Sequence, residues 1–208
     1  MTRSHPVPLP RLHAITDERV ARRTDLGEVA SALASGGGAA LAFHARGRSL
    51  SGREHYELAI RLSAFPPARL FVNDRLDVAL AAGAVGVQLG AASLEPETAR
   101  RLNAVWWIGR SVHDWEEAQS ARAAEADYLL VGPVFATATH AGREPLGVER
   151  FRAIARLGLP AVAIGGVTAE RVPELRAAGA YGVAAIRALW EAGDPTGTAR
   201  RMIQEWEP

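Results

Sequence analysis

Ala161 to Trp190 reads AVAIGGVTAERVPELRAAGAYGVAAIRALW, two consecutive strand-turn-helix units with a glycine pair ending the first strand. The apolar run Ala161–Ile164 suits a strand buried on both faces, and Gly165 and Gly166 open the backbone just before Thr168, a helix-capping residue. The second strand, Gly182–Ile186, follows after one helix. Neighbouring parallel strands that each feed a helix present backbone N–H groups and the positive helix dipole to one point, which suits a phosphate dianion. In a (β/α)8 barrel, strands seven and eight supply that site. Read alone, the glycines could equally make only a tight turn under a helix.

Working outward, strand-like apolar runs occur at Leu12–Thr16, Ala39–His44, Leu70–Asn73, Val85–Leu89, Val105–Ser111 and Tyr128–Gly132, which with Ala161–Gly165 and Gly182–Ile186 make eight. Helical periodicity fills the intervals. Asp114 with Glu117 forms a capping-box pattern, Thr168 precedes Glu170, and Asp194 with Pro195 opens a last helix with Ala199, Met202, Ile203 and Trp206 on one face. Strict alternation of strand and helix argues for a parallel sheet, and eight units in 208 residues predict a single α/β domain, a minimally decorated (β/α)8 TIM barrel over 1–208 with 1–10 as a flexible N-terminal extension. A doubly wound open sheet is the alternative. The adjacent Trp106 and Trp107 must point to opposite faces of their strand, and Leu189 with Trp190 suits either core packing or a subunit contact.

The formal net charge of +1 gives no footprint for nucleic acid, and a small-molecule partner is expected. No segment has the apolar length of a signal peptide or a membrane span, so a cytoplasmic location away from membranes is expected. The chain contains neither cysteine nor lysine. Thiolate nucleophiles, sulfur-ligated metals and lysine Schiff bases are thereby excluded, leaving His, Asp, Glu and Tyr as proton carriers.

In a barrel, chemistry collects where strands end at their carboxyl side. Those ends read FHARGR, VNDR, VQLG, GRSVH and GPVFATATH, a ring of His, Arg, Asn, Gln, Ser and Thr around the glycine cradle. Singly, each has a structural explanation: Asn73 and Asp74 could cap the helix beginning near Arg75, and Ser93 the one near Glu95.

The segments LHAITD at Leu12–Asp17, VNDRLDVAL at Val72–Leu80, GRSVHDWEEA at Gly109–Ala118, ADYLLVGPVFAT at Ala126–Thr137 and AIGGVT at Ala163–Thr168 resemble the thiamine phosphate synthase and TenI superfamily of small barrels. The resemblance spans nearly the whole chain, and LHAITD, VQL and GRSVH look closer to the TenI branch. It implies an aromatisation of a thiazole carboxylate phosphate tautomer by proton transfer, with a phosphorylated thiazole as partner, no metal or other cofactor, and a possible homodimer. On that reading His140 or His44 shuttles the proton, Ser111 and Gln88 orient the ring, and phosphate sits on Gly165, Gly166, Ile186 and Arg187. Arg46, Arg48, Asn73, Thr137 and Thr139 complete the substrate contacts. One departure is Pro133, which stands where the TenI branch carries its catalytic His.

The synthase branch, by resemblance, joins a pyrimidine methyl diphosphate to a thiazole phosphate and holds magnesium between two carboxylates. Asp74 matches the first; the second position is Ser93. The Gln of its Q-x-R-x-K segment is His44, followed by Arg46 and by Arg48 in place of Lys, and its T-x-T-K segment reads Thr137, Ala138, Thr139, His140. The expectation is thus a TenI-type tautomerase, with a synthase using Asp74 and Mg²⁺, or a noncatalytic binder of such phosphates, as alternatives.

Overall fold

The computed structural model describes residues 5–137 and 144–206. Eight parallel strands, β1 (Leu12–Ile15), β2 (Leu41–Ala45), β3 (Arg69–Asn73), β4 (Gly86–Leu89), β5 (Trp107–Val112), β6 (Tyr128–Val131), β7 (Ala161–Ile164) and β8 (Gly182–Ala185), close in sequence order. Pairing of β1 with β8 excludes the open sheet. The helices are α1 (Glu18–Ala21), α2 (Leu26–Gly37), α3 (Gly52–Ser63), α4 (Leu76–Ala81), α5 (Pro96–Leu102), α6 (Trp115–Ala123), α7 (Val148–Ala155), α8 (Val172–Ala177), α9 (Arg187–Trp190) and α10 (Pro195–Gln204).

Alternation along the strands separates two cores. Outward residues such as Phe43, Val87, Ile108 and Val183 pack under the helices, while Ile15, Ala42, Phe71, Tyr128, Leu130, Val162 and Ala184 fill the barrel. The tryptophan pair divides as predicted: Trp106 is buried beneath the helices and Trp107 joins the barrel side. Leu189 and Trp190 are buried in the outer core, so they offer no subunit contact.

Residues 5–10, expected as part of a flexible extension, pack against the barrel. Leu9 is buried against the barrel core, its carbonyl accepts from the Tyr181 hydroxyl at 2.7 Å, and the Val7 carbonyl accepts from Trp107 Nε1 at 2.8 Å. His5 stacks on Trp107 with ring centroids 3.6 Å apart. Residues 5–10 therefore plug the end of the barrel opposite the mouth, because an open barrel bottom would expose Trp107 and Tyr181.

Capping follows the sequence at Asp114 and Asp194 and departs from it at Glu117, Thr168, Asp74 and Ser93. Asp114 accepts from Glu117 N and Asp194 from Gly197 N, as expected. Glu117 turns back to the His113 backbone N–H, one residue earlier than a capping box requires. Thr168 makes no cap bond to the 3-10 turn that precedes α8. Neither Asp74 nor Ser93 caps a helix; they bond to each other across the mouth.

Glycine placement sets how tightly the barrel interior is filled. A Cβ at Gly109 would lie 2.2 Å from Tyr128 Cζ and 2.3 Å from Gln88 Oε1, two fully buried groups with no room to move. Gly109→Ala is expected to lower unfolding stability by about 1–3 kcal/mol, the usual cost of overpacking a filled core. A denaturant midpoint equal to wild type would show that Tyr128 can yield.

Candidate active site

Asp17, Thr16 and Glu18 follow β1 and build one wall of the mouth. The Thr16 hydroxyl donates to the His44 and Arg46 carbonyls and accepts from Arg46 N at 2.8 Å, stapling the end of β2 to the end of β1. Glu18 accepts from the Arg48 and Ser49 backbone N–H groups. The loop so braced holds Arg46 and Arg48 over a cavity of about 450 Å³ that Asn73, Asp74, Gly90, Ser111, His113 and Pro133 also line. Burial first, and Arg48 second, press the Arg46 guanidinium below its ordinary pKa, against the opposing pull of Glu18, Asp74 and Asp17. Two guanidiniums in this position lower their energy by taking up a multiply charged anion between them.

Asp74 sits at φ 63°, a left-handed conformation that Asp tolerates better than most residues. Its Oδ1 accepts from Gly90 N at 2.9 Å and from the Ser93 hydroxyl. Ser93 therefore orients the carboxylate in place of duplicating it. Opposite, His113 Nδ1 lies 2.8 Å from Glu117 Oε2, and both residues line the cavity.

The second lobe, about 550 Å³, is bounded by Thr137, Gly165, Gly166, Arg171, Ile186 and Arg187. Gly165 and Gly166 have φ of 95° and 64°. A Cβ on Gly165 would lie 2.5 Å from Pro133 Cα, and one on Gly166 would lie 2.6 Å from the Ala136 carbonyl oxygen. Glycine is thus required here by both conformation and space. The loop after β6 runs along this turn, with Val134 N donating to Ile164 O and Phe135 N to Gly165 O. Arg171, not anticipated from sequence, bonds the Gly166 carbonyl at 2.6 Å, covers the Phe135 ring and adds a guanidinium beside Arg187. Ile164, Gly165 and Ile186 belong to both lobes, so the two lobes share one floor.

Several expected contact residues lie elsewhere. Gln88 is fully buried below the mouth; it donates from Nε2 to Ser111 Oγ at 3.0 Å and so supports Ser111 from behind. His44 is likewise closed inside the barrel at 0% exposure, between His13 Nδ1 at 2.8 Å and the Asn73 amide at 3.1 Å. Neither ring nitrogen of His44 faces the cavity, since one is turned to His13 and the other to Asn73. Burial depresses the pKa of both rings, His13 to about 4 and His44 well below its ordinary value, with His13 adding to the effect on His44. Both are neutral near pH 7. Ser111, Asn73, Arg46 and Arg48 line the first lobe and Thr137, Gly165, Gly166, Ile186 and Arg187 the second. Thr139 and His140 lie outside the described residues.

The chain is a closed (β/α)8 barrel whose mouth joins a diguanidinium lobe to a glycine cradle. Residues 12–189 match the family described as thiamine monophosphate synthase (TMP-TENI), and the chain belongs to that family. It is 42% identical over 202 residues to a thiamine-phosphate synthase of Salinispora tropica, covering 94% of this chain and 97% of that protein. A thiamine-phosphate synthase of Methanoculleus marisnigri is 40% identical over 200 residues, with 92% of each chain covered. The solved thiamine phosphate pyrophosphorylase from Pyrococcus furiosus superposes with a TM-score of 0.80 at 32% identity, over 93% of this chain and 94% of that one.

These likenesses correct the TenI expectation. The similar proteins are named as synthases, and nothing in the comparison favours the tautomerase branch over them. Among the described residues, no helix is long and apolar enough to cross a membrane.

The two buried imidazoles make stability depend on pH with a definite sign. Folding keeps them neutral, whereas the unfolded chain protonates near pH 6.5, so the unfolded state binds more protons as pH falls. Stability is then lost below about pH 6.5 and continues to fall toward pH 4, with a slope of about 1.4 kcal/mol per pH unit per histidine. Urea midpoints measured at pH 7, 6 and 5 should decrease, and His44→Phe should remove part of that slope. Equal midpoints in wild type would mean that the rings are protonated in the native state.

Proposed function

We propose that the chain is a thiamine-phosphate synthase, joining a pyrimidine methyl diphosphate to a thiazole phosphate and releasing diphosphate. The observation that carries this reading is the paired mouth: two anion lobes meet at Ile164, Gly165 and Ile186, as two phosphorylated substrates with touching reactive ends require. A single monophosphate would leave Arg46 and Arg48 without an anion. The relatives named as synthases at 40% identity and above point the same way.

In this reaction the thiazole nitrogen forms a bond to the pyrimidine methylene carbon, and the carbon–oxygen bond to diphosphate breaks with its electron pair leaving on oxygen. No residue need donate a proton. The barrel supplies proximity and charge: Gly165, Gly166 and Arg187 hold the thiazole phosphate, with Thr137 and Arg171 beside them, while Arg46 and Arg48 stabilise the charge that grows on the leaving diphosphate. Ser111, backed by Gln88, lines the first lobe and orients a ring.

The donor set is compatible with magnesium. The chain offers hard oxygens, a carboxylate from Asp74 with the Ser93 hydroxyl beside it, and a substrate diphosphate brings the remaining anionic oxygens an octahedral ion prefers. Bound there, the ion would neutralise part of the diphosphate charge.

Purified protein given both substrates should release diphosphate in a magnesium-dependent manner. Arg46→Met should lower kcat/KM by about 10- to 100-fold, the loss of a charge-assisted contact. Ser93→Asp should reduce the magnesium concentration giving half-maximal rate, since it adds a second carboxylate beside Asp74. Absence of diphosphate release by wild type at any magnesium concentration would reject the synthase reading.

A further inference from the structure

A string of buried polar groups runs up the barrel axis from the plug to the mouth. The Pro10 carbonyl lies 3.1 Å from His13 Nε2, His13 Nδ1 lies 2.8 Å from His44 Nε2, and His44 Nδ1 lies 3.1 Å from Asn73 Oδ1. Asn73 alone of the three side chains reaches the cavity of Arg46, Arg48 and Asp74. Proton count along this string is determined from its lower end. A backbone carbonyl can only accept, so His13 Nε2 carries the proton and His13 Nδ1 is bare. The bare Nδ1 needs a donor, which makes His44 Nε2 the protonated nitrogen and leaves His44 Nδ1 bare in turn. An oxygen opposite a bare nitrogen would be two acceptors 3.1 Å apart. The amide must therefore turn half a revolution and donate from Nδ2.

We propose that His13 and His44 are positioning residues that force Asn73 to present its carbonyl oxygen to the mouth, making that point of the cavity an acceptor for an N–H group on the substrate's ring. The competing states, an imidazolium at His13 or at His44 with the amide oxygen retained, are opposed by full burial of both rings, with no carboxylate among their hydrogen-bond partners. The depressed pKa of both rings agrees. An acceptor here repels the diphosphate and directs it toward Arg46 and Arg48, while it attracts an amino-substituted heteroaromatic ring. The ring assignment rests on the synthase reading; the orientation of Asn73 does not.

The test has two arms on the full chain. In ligand-free protein with ¹⁵N-labelled His and Asn, long-range ¹H–¹⁵N correlation should show both His13 and His44 as Nε2–H tautomers, with the Asn73 NH₂ coupled to His44 Nδ1. A proton on His44 Nδ1 overturns the proposal. In the second arm, an aminopyrimidine methyl diphosphate should bind about 3- to 10-fold more tightly than its analogue bearing hydrogen in place of the amino group. His44→Phe, checked for a native circular dichroism spectrum, should reduce that ratio toward one, which a merely structural histidine would not do. A ratio of one in wild type rejects the acceptor role. Failure of both compounds to bind would count against the synthase reading, and the tautomer spectrum would still decide the orientation of Asn73.

Discussion

Closing eight strands into a barrel creates an interior that side chains must fill without water, and here that interior contains two imidazoles whose ring nitrogens face each other, the Pro10 carbonyl and the Asn73 amide. His13, His44, Phe71 and Tyr128 occupy it together, with His44 stacked on Phe71 at 5.0 Å and Phe71 edge-on to Tyr128. Such bulk fits only because β4 and β5 contribute glycines at the same level: a Cβ on Gly86 would meet the Phe71 ring at 2.3 Å, and Gly109 makes the equivalent room for Tyr128. The packing fixes the rings, the rings fix the polar string, and the string ends at Asn73 in the mouth. The site is therefore supported from beneath as well as by its own loops.

The same reasoning explains the plug. Leu9 seals the lower end of the barrel core, and the Pro10 carbonyl supplies the terminal acceptor for His13. Read as sequence, residues 5–10 show only turn-forming prolines and no periodicity, so nothing local reveals that they pack. Their partners, Trp107 and Tyr181, are distant in the chain, and a contact of that kind becomes visible only when the barrel closes.

What was legible in the sequence was whatever depends on local rules. Buried parallel strands are short apolar runs, so all eight could be located within a few residues, and the Gly165–Gly166 turn marked one lobe of the mouth. The ring of polar strand ends was also visible, but not the direction in which each member points. Gln88 and His44 stand near the carboxyl ends of their strands, one layer below the residues that line the cavity. Arg171 carried no signal because its proximity to the cradle comes from a 3-10 turn, where a regular helix was expected. Ser93 looked like a cap because Ser before a helix ordinarily is one; the left-handed Asp74 reaches it first.

The branch assignment failed for a related physical reason. Two of the three segments read as TenI-like contribute interior or supporting groups, His13 in LHAITD, which pairs with His44, and Gln88 in VQL, which backs Ser111. Their identities report how a barrel core is filled and need not change with the reaction at the rim. The cavity itself is defined by Arg46, Arg48 and Asp74 on one side and the glycine cradle on the other, with Pro133, a side chain that cannot carry a proton, against Gly165. Charge of that kind suits an anionic leaving group better than a proton moving on a ring, so the lining carries more weight than the core motifs in deciding which chemistry this mouth can support.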